Sequence, residues 1–380
     1  MELQYQKTGY YFAQVSDGLE ELAEAELLDL GASEVKARYR GLHFKATHDV
    51  LYRVNYGSRL LTRILAPIIT FDCHSTKYLY KTAMDIPWED IFSPNDTFAI
   101  HAQVSNSAIT HSQYAGLKLK DAIADRFRDK IGRRPDVDPK YPNIWFNIHI
   151  ENNRATISID TSGSSLHRRG YRLDTVEAPM QETLAAAIVK ISGWDGSNHF
   201  LDPMCGSGTL AAEAFMSVSN LSAGYFRKSF GFQKLPDFQR NTWTKLRKEM
   251  DGNFKVPDAE KIQASDVDPT ALRVAKRNLA HLPQGSRIYV HRKDYSEITI
   301  PEGATLVMNP PYGIRLHKGE DLSEFYKTMG DWLKQKCSGS EAYIYFGERK
   351  YLKNIGLRPE WKKILSNGGL DGRLAKFVMY

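Results

Sequence analysis

The sequence has few cysteines and no long apolar run. Cys73, Cys205 and Cys337 are the only three cysteines in 380 residues, and none shares a Cys-x-x-Cys spacing. This excludes a disulfide framework and gives no support for a zinc site. No stretch reaches the roughly 20 consecutive apolar residues of a membrane-spanning helix, and residues 1–7 lack the basic-then-apolar order of a signal peptide. We therefore expect a cytoplasmic protein without a metal site or a membrane span; its oligomeric state stays open.

The charge balance is only mildly basic. Lys and Arg total 51 against 45 Asp and Glu, giving a formal charge of +6, which is compatible with a polyanionic partner but not diagnostic of one. The 42% apolar and 25% charged content is ordinary for a globular protein, so a disordered chain is excluded. The length predicts two or three domains.

The first 160 residues mix strand and helix patterns. Strand patterns fall at 10–15, 34–39, 42–46, 97–104, 143–151 and 155–160, and helix patterns at 19–30, 76–84 and 107–131. The last two strands flank Asn152-Asn153-Arg154, which favours a hairpin. These patterns predict an α+β region without a parallel repeat.

The pattern changes after the small polar stretch 161–165, where we place a domain boundary. Strand patterns at 199–201, 261–265, 288–291 and 305–308 alternate with helix patterns at 181–191, from 209 and at 269–279. This alternation predicts a doubly wound α/β fold with a parallel sheet. Further strands are expected at 342–346 and 374–379, separated by 361–365.

A glycine loop follows the first strand of this second region. Residues 202–209 read Asp-Pro-Met-Cys-Gly-Ser-Gly-Thr. The leading Asp202 would repel a pyrophosphate but attract the ammonium and sulfonium of S-adenosylmethionine, and nothing resembles a phosphate-binding Gly-Lys-Ser/Thr loop. From these residues alone, a cofactor loop and a structural strand-to-helix turn are equally open interpretations.

Three aspartates follow the next strands. Asp266 falls at a predicted strand tip, where its acceptor-only carboxylate can bind both hydroxyls of a ribose. Asp268 precedes a proline, which favours a helix N-cap. Asp294 follows the third strand and either accepts from an adenine amino group or is a solvated turn aspartate.

The motif Asn309-Pro310-Pro311-Tyr312 directly follows the 305–308 strand. The two prolines fix the backbone and remove amide donors, leaving carbonyl acceptors beside the Asn309 side-chain oxygen. Such acceptors can hold an exocyclic amino group of a base, and Tyr312 can stack on a base swung out of its helix. The alternative is a rigid turn at a strand end.

The motifs at 202–209, 266–269 and 309–313 are preceded by Leu-His-Arg-Arg-Gly-Tyr-Arg at 166–172 and Ala-Pro-Met-Gln-Glu-Thr-Leu-Ala-Ala at 178–186. This combination resembles the RlmL type of 23S ribosomal RNA guanine-N2 methyltransferase over essentially the whole chain. The resemblance implies a ferredoxin-like segment at 1–60 and a THUMP RNA-binding domain at 61–165. It further implies a class I, Rossmann-like S-adenosylmethionine-dependent methyltransferase domain at 166–380. Some relatives carry a second fused methyltransferase; here we expect one methylation.

The resemblance also implies roles for individual residues. It assigns S-adenosylmethionine binding to Pro179, Glu182, Asp202, Gly206, Gly208, Asp266 and Asp294. It assigns the hold on the target base to Asn309, Pro310, Pro311 and Tyr312.

Clusters of basic residues are the expected RNA contacts. They comprise Lys130, Arg133 and Arg134 at the end of the 107–131 helix, and Arg168, Arg169 and Arg172 in the 166–172 stretch. Residues 225–248, basic with interleaved aromatics, are a candidate for a second RNA-facing element. A solvated amphipathic face is the alternative for the helix.

The leading hypothesis is methyl transfer to guanine N2 in RNA, with 23S rRNA as the favoured substrate. The open alternatives are a tRNA guanine-N2 methyltransferase, a DNA adenine or cytosine amino methyltransferase, and a non-catalytic RNA-binding assembly factor that retains the cofactor fold.

Overall fold

The computed structural model describes residues 2–175, 179–312, 321–367 and 370–380. The chain divides into two compact units, each built from separate segments. The first unit takes residues 1–14, 24–166 and 227–248, and the second takes 15–23, 167–226 and 249–380. The sequence analysis instead divided the chain into three contiguous domains, at 1–60, 61–165 and 166–380, and those bounds remain a prediction.

The first 166 residues form seven strands and five helices within the described part of the chain. The strands are β1 (Tyr10–Val15), β2 (Ser33–Arg38), β3 (Gly41–Lys45), β4 (Leu61–Asp72), β5 (Phe98–Ser105), β6 (Ile144–Glu151) and β7 (Arg154–Asp160). The helices are α1 (Gln4–Thr8), α2 (Glu20–Asp29), α3 (His48–Gly57), α4 (Thr76–Met84) and α5 (Ser112–Ile131). The strands join in one sheet of order β2-β3-β1-β4-β7-β6-β5.

The predicted α+β architecture is confirmed, and its sheet includes a parallel pair of neighbouring strands. Strands β5 and β6 run parallel from Phe98↔Ile144 to Ser105↔Glu151. The reason is the connection between them, because helix α5 carries the chain back to the same end of the sheet before β6 begins. Helix α5 ends at Gly132, whose φ of +77° is the left-handed cap that glycine favours.

The second half of the chain supplies the other sheet. Its strands are β8 (Phe200–Asp202), β9 (Ile262–Asp266), β10 (Tyr289–Arg292), β11 (Thr305–Met308), β12 (Glu341–Phe346), β13 (Trp361–Asn367) and β14 (Leu370–Val378). The helices are α6 (Glu182–Ser192), α7 (Thr209–Val218), α8 (Arg240–Gly252), α9 (Pro269–His281) and α10 (Ser323–Lys336).

The predicted doubly wound sheet is confirmed, with order β10-β9-β8-β11-β12-β14-β13. Strands β8 to β12 pair in parallel, whereas β14 is antiparallel to both β12 and β13. Residues 361–365, expected to separate two strands, instead lie in the edge strand β13. The strand order reverses at β8 and β11, the place in an open α/β sheet where ligands bind.

Residues 227–248 interrupt the second unit in sequence but pack within the first. The Phe232 ring stacks on Tyr52 at 4.5 Å between ring centroids and meets Trp243 edge-on at 5.1 Å. The Phe232 amide donates to the Thr161 carbonyl at 2.7 Å. We call residues 227–248 the insert; its buried aromatic side chains complete the core of the first unit.

Two basic residues of the insert contact protein groups, and the contacts of Arg227 correct its expected RNA-facing role. The Arg227 guanidinium donates to the carbonyls of Ser162 and Ser164 at 2.8 and 3.1 Å. Lys234 pairs with Asp96 at 2.7 Å. Arg227 is therefore committed to contacts within the first unit, whereas Lys234 is exposed and its contact with RNA remains a prediction.

Phe232→Ala should destabilise the first unit by about 3–5 kcal/mol, because a fully buried aromatic side chain is lost. Hydrogen exchange measured by mass spectrometry on the full chain should show faster exchange in α3, which carries Tyr52. The control Tyr141→Ala, at a side chain that is 82% exposed, should leave exchange unchanged. Unaltered protection of α3 in Phe232→Ala would contradict the role given to the insert.

Candidate active site

The carboxyl ends of the central parallel strands bring the predicted site residues to one edge of the sheet. Asp202 at the end of β8 is in register with Ala264 of β9, and Leu306 of β11 is in register with Leu201. Parallel strands end on the same side, so the residues that follow β8, β9 and β11 meet there. These residues begin the glycine loop, the Asp266 turn and the Asn309 motif.

The glycine loop is fixed by hydrogen bonds to the tip of β9. The Gly206 amide donates to Asp266 Oδ2 at 2.9 Å, and the Cys205 amide donates to the Ser265 carbonyl at 2.9 Å. The φ of Gly206 is +51°, in the left-handed region that favours glycine. The loop thus depends on the predicted acid Asp266, although the two are distant in sequence.

Gly208 lets helix α7 pack closely on helix α9. Its φ is +80°, and a Cβ there would lie 3.3 Å from the Ala275 Cβ and 3.4 Å from Leu279. The Asn278 side chain of α9 donates to the Ser207 carbonyl at 3.1 Å. The loop is therefore held by both the strand and the helix that follow it in the βαβ unit.

The three predicted aspartates have different surroundings. Asp266 Oδ1 accepts from the Asp268 amide at 3.0 Å, and each carboxylate oxygen keeps a further acceptor site. Asp268 accepts from the Thr270 amide at 2.8 Å, which confirms its N-cap role. Asp294 accepts from the Ser296 amide at 2.9 Å, so it caps a short 3₁₀ turn. This supports the turn interpretation of Asp294, and its adenine contact remains a prediction.

Arg172 joins the segment before α6 to the start of α7. Its Nη2 donates to the Met180 carbonyl at 2.9 Å and to Thr209 Oγ1 at 3.0 Å, and lies 3.6 Å from Glu182 Oε1. Burial raises the pKa of Glu182, and the Arg172 charge opposes that rise. Pro179 is half-buried beside this segment, whereas Ala178 lies outside the described residues.

Arg169 corrects an expected RNA contact. Its side chain is fully buried, with Nε 3.4 Å from Glu213 Oε1, and the Tyr171 hydroxyl donates to the same oxygen at 3.2 Å. A guanidinium inside the second unit has no surface for a phosphate, so the expectation is wrong. Arg172 is also committed to internal partners.

The other predicted RNA contacts are exposed. Arg168 is exposed in the second unit, and Lys130, Arg133 and Arg134 are exposed at and beyond the end of α5. Their contact with RNA remains a prediction.

In the Asn-Pro-Pro-Tyr motif, Asn309, Pro310 and Tyr312 are buried and Pro311 is half-buried. Asn309 is 6% exposed, and its Oδ1 has no hydrogen-bond partner among the described residues. The Tyr326 hydroxyl donates to the Pro311 carbonyl at 3.4 Å. A buried acceptor without a partner costs free energy, which makes Asn309 Oδ1 a position for a donor from a ligand.

The Tyr312 ring packs against Gly347, a residue that the sequence analysis did not identify. A Cβ at Gly347 would lie 2.3 Å from the Tyr312 ring, and the ring meets Tyr345 edge-on at 6.2 Å. The available signal was a glycine directly after the 342–346 strand pattern. One face of Tyr312 is thus held by protein, and base stacking on Tyr312 remains a prediction. Gly313 lies outside the described residues.

No group of three or more metal-ligating side chains occurs among the residues the structure describes. Within the same residues, no helix is both long and apolar enough to cross a membrane.

The sheet order and its strand-end loops are those of a Rossmann-like methyltransferase. Family models match an RlmL ferredoxin-like domain at residues 10–65, a THUMP domain at 73–160 and an RMKL-like methyltransferase domain at 169–376. The chain therefore belongs to the family of RMKL-like methyltransferases. The predicted family and fold class are confirmed.

Related proteins agree with this assignment. The chain is 38% identical to slr0064 of Synechocystis, provisionally named an RNA methyltransferase, over 97% of each chain. It is 35% identical to the ribosomal RNA large subunit methyltransferase K/L of Syntrophotalea carbinolica, covering 97% of this chain but 53% of that protein. The chain thus spans about half the length of that relative. The crystal structure of SMU.472, provisionally described as a methyltransferase and complexed with SAH, superposes with a TM-score of 0.85 at 25% identity, covering 98% of both chains.

Gly208→Ala should lower the melting temperature more than Gly193→Ala. Both glycines have left-handed φ values, but Gly193 has open space around it, whereas Gly208 faces α9. Each substitution costs about 1–2 kcal/mol of backbone strain, and crowding against α9 adds roughly 1–3 kcal/mol at Gly208. Thermal unfolding followed by circular dichroism measures the difference; equal shifts would contradict the close packing.

Proposed function

We propose that this chain transfers a methyl group from S-adenosylmethionine to the exocyclic N2 amino group of a guanine in RNA, with 23S rRNA as the leading target. The observation that carries the proposal is the buried Asn309 Oδ1, which lacks a partner among the described residues. It lies at the sheet edge where the glycine loop begins.

The residues at this edge fit S-adenosylmethionine. Asp266 has acceptor sites left for the ribose hydroxyls, and Asp202 is a buried acid at the start of the loop, suited to the cationic methionine end. Gly206 and Gly208 are assigned to the cofactor loop. Gly206 lets the ligand approach the backbone, and Gly208 lets the loop pack on α9. Pro179 and Glu182 are assigned to the methionine end, and Asp294 to the adenine.

The Asn309 motif orients the amine. An amino group on a base is a poor nucleophile because its lone pair is delocalised into the ring. The Asn309 side chain and the Pro310 carbonyl accept its two hydrogens, which turns the lone pair towards the sulfonium methyl. The new N–C bond forms as the S–C bond breaks, and the nitrogen then releases one proton to solvent.

Amine methylation is favoured over methylation of a pyrimidine carbon, which requires a thiolate. Burial raises the pKa of the Cys205 thiol well above its ordinary value, so Cys205 stays protonated near neutral pH. Cys205 also belongs to the glycine loop, where its amide bonds the Ser265 carbonyl.

RNA as the substrate is supported by the THUMP match and by the names of the relatives. The exposed Lys130, Arg133 and Arg134 also support it, because the structure gives them no ion pair with a described residue. A tRNA target, an amino group of DNA and a non-catalytic role are the alternatives that the tests below separate.

Asp266→Asn should weaken S-adenosylmethionine binding by about 1.5–3 kcal/mol, because a charge-assisted acceptor of the ribose hydroxyls is lost. Isothermal titration calorimetry on the full chain measures this. Asp268→Asn is the matched control, since Asp268 only caps α9, and its affinity should equal that of the parent chain. Equal affinity for all three proteins would contradict the assignment of Asp266.

Asn309→Ala should lower turnover on the order of 10²- to 10³-fold while leaving cofactor affinity unchanged, because one oriented polar group at the reacting centre is removed. Single-turnover transfer of labelled methyl to ribosomal RNA measures the effect. Asn253→Ala, at an exposed asparagine, is the control. Full turnover in Asn309→Ala would overturn the role of this side chain.

The product identifies the reaction. RNA is isolated from cells that lack the enzyme and is labelled in this assay. The labelled RNA is then digested to nucleosides. We expect the label in N2-methylguanosine from 23S rRNA. Label in transfer RNA, in adenosine or cytidine, or no label at all would favour one of the alternatives.

Neutralising Lys130, Arg133 and Arg134 to Gln should flatten the salt dependence of RNA binding. Each lost phosphate contact lowers the slope of log K against log salt by about 0.7–0.9. Filter binding over a range of salt concentrations measures it. An unchanged slope would show that these residues form a solvated helix end.

A further inference from the structure

The β2–β3 hairpin at the edge of the first sheet presents basic and aromatic side chains to solvent. Lys36, Arg38 and Arg40 are exposed, and Tyr39 is 80% exposed at the turn between them. We call Lys36, Arg38, Tyr39 and Arg40 the hairpin surface. It was not among the RNA contacts expected from the sequence.

Glu34 is the one acid of the hairpin, and it contacts side chains of β1 and β3. Glu34 lies at an irregularity of β2 with a φ of +49°, and its carboxylate accepts from Lys45 Nζ at 3.0 Å and from the Tyr10 hydroxyl. Lys36 and Arg38 have no ion pair with a described residue. The hairpin, residues 33–45, therefore carries four basic side chains against one acidic side chain.

The turn places one of its two central residues in an uncommon backbone conformation. Arg38 pairs with Gly41, which leaves Tyr39 and Arg40 as a two-residue turn. Such turns favour Asn-Gly or Gly pairs, yet Arg40 has a φ of +54°, which is uncommon for a residue other than Gly, Asn or Asp. An observed residue in an uncommon backbone conformation motivates a functional hypothesis.

Aromatic side chains continue from the tip along the sheet. On the half-exposed side of β1, Phe12 is in register with His43, and their ring centroids are 5.0 Å apart. A Cβ at Gly41 would lie 2.2 Å from the Phe12 ring, so glycine lets that ring lie across β3. Sheet surfaces that bind single-stranded nucleic acid combine such aromatics with cations along the backbone path.

Protection of the edge strand against pairing with other chains explains only part of the hairpin surface. Charged residues on edge strands prevent pairing with other chains, and this accounts for Lys36 and Arg38. The edge strand β13 of the second sheet carries two exposed lysines, Lys362 and Lys363, in the same way. Protection does not require an exposed Tyr39 or a guanidinium at a left-handed position.

We propose that the hairpin surface binds a single-stranded segment of the RNA substrate, with phosphates on Lys36 and Arg38 and a base stacked on Tyr39. This rests on the proposed function in one respect, namely that the substrate is RNA. The contact is separate from α5 and adds a second site within the first unit.

The test uses the full chain and a labelled single-stranded oligoribonucleotide of mixed sequence. Lys36→Gln with Arg38→Gln should lower the slope of log K against log salt by about 1.4, that is about 0.7 for each phosphate contact. The control pair Lys362→Gln with Lys363→Gln makes the same charge change on the other edge strand and should leave the slope unchanged. Tyr39→Ala should raise Kd about 5- to 150-fold, and Tyr39→Phe should restore binding because it keeps the ring.

The outcomes separate this inference from the proposed function. If the hairpin variants have the salt slopes and Kd values of the parent chain while the parent chain methylates RNA normally, the inference is overturned. The proposed function is then unaffected. Loss of RNA binding in these variants, with label recovered outside N2-methylguanosine, would support the inference and contradict the proposed function. If the variants keep RNA binding and lose only binding to phosphatidylserine vesicles, the hairpin surface binds membranes, and the inference of RNA binding is overturned. Unchanged melting temperatures confirm that the variants fold.

Discussion

Parallel pairing of β8 with β9 and β11 is the constraint on which the site depends. It places three strand ends at one edge, where the Gly206 amide bonds the Asp266 carboxylate at 2.9 Å. Distant parts of the sequence thereby form one surface, with the acid of β9 holding the loop of β8. The Asn309 acceptor follows β11 at the same edge, so the order of strands determines which groups can act on one ligand.

The first unit depends on residues that the sequence places far from it. The insert lies between α7 and β9 along the chain, yet Phe232 and Trp243 fill the core beside Tyr52. Segments 1–14, 24–166 and 227–248 therefore form one packed structure, with exposed cations at the end of α5 and on the β2–β3 hairpin. Truncation at the predicted boundary would remove part of this core.

Local patterns predicted the elements with strong periodicity, and non-local contacts account for what was missed. The strands before Asp202, Asp266 and Asn309 were predictable because buried parallel strands are short apolar runs followed by turn residues. Helix α8 buries only Trp243 and Leu246, which gives too weak a pattern to predict. The burial of Arg169 depends on Glu213 of α7, and no local pattern indicates such a pair. Gly347 is needed because of the Tyr312 ring, a contact set by tertiary structure.

The central claim is that S-adenosylmethionine binds where β8 and β9 end. Hydrogen exchange of the full chain with and without S-adenosylhomocysteine tests it most directly. The account predicts slower exchange at residues 203–209 and 266–268 in the complex, with β5 and β6 unchanged. Unaltered exchange at residues 203–209 under saturating ligand, or protection confined to the first unit, would contradict it.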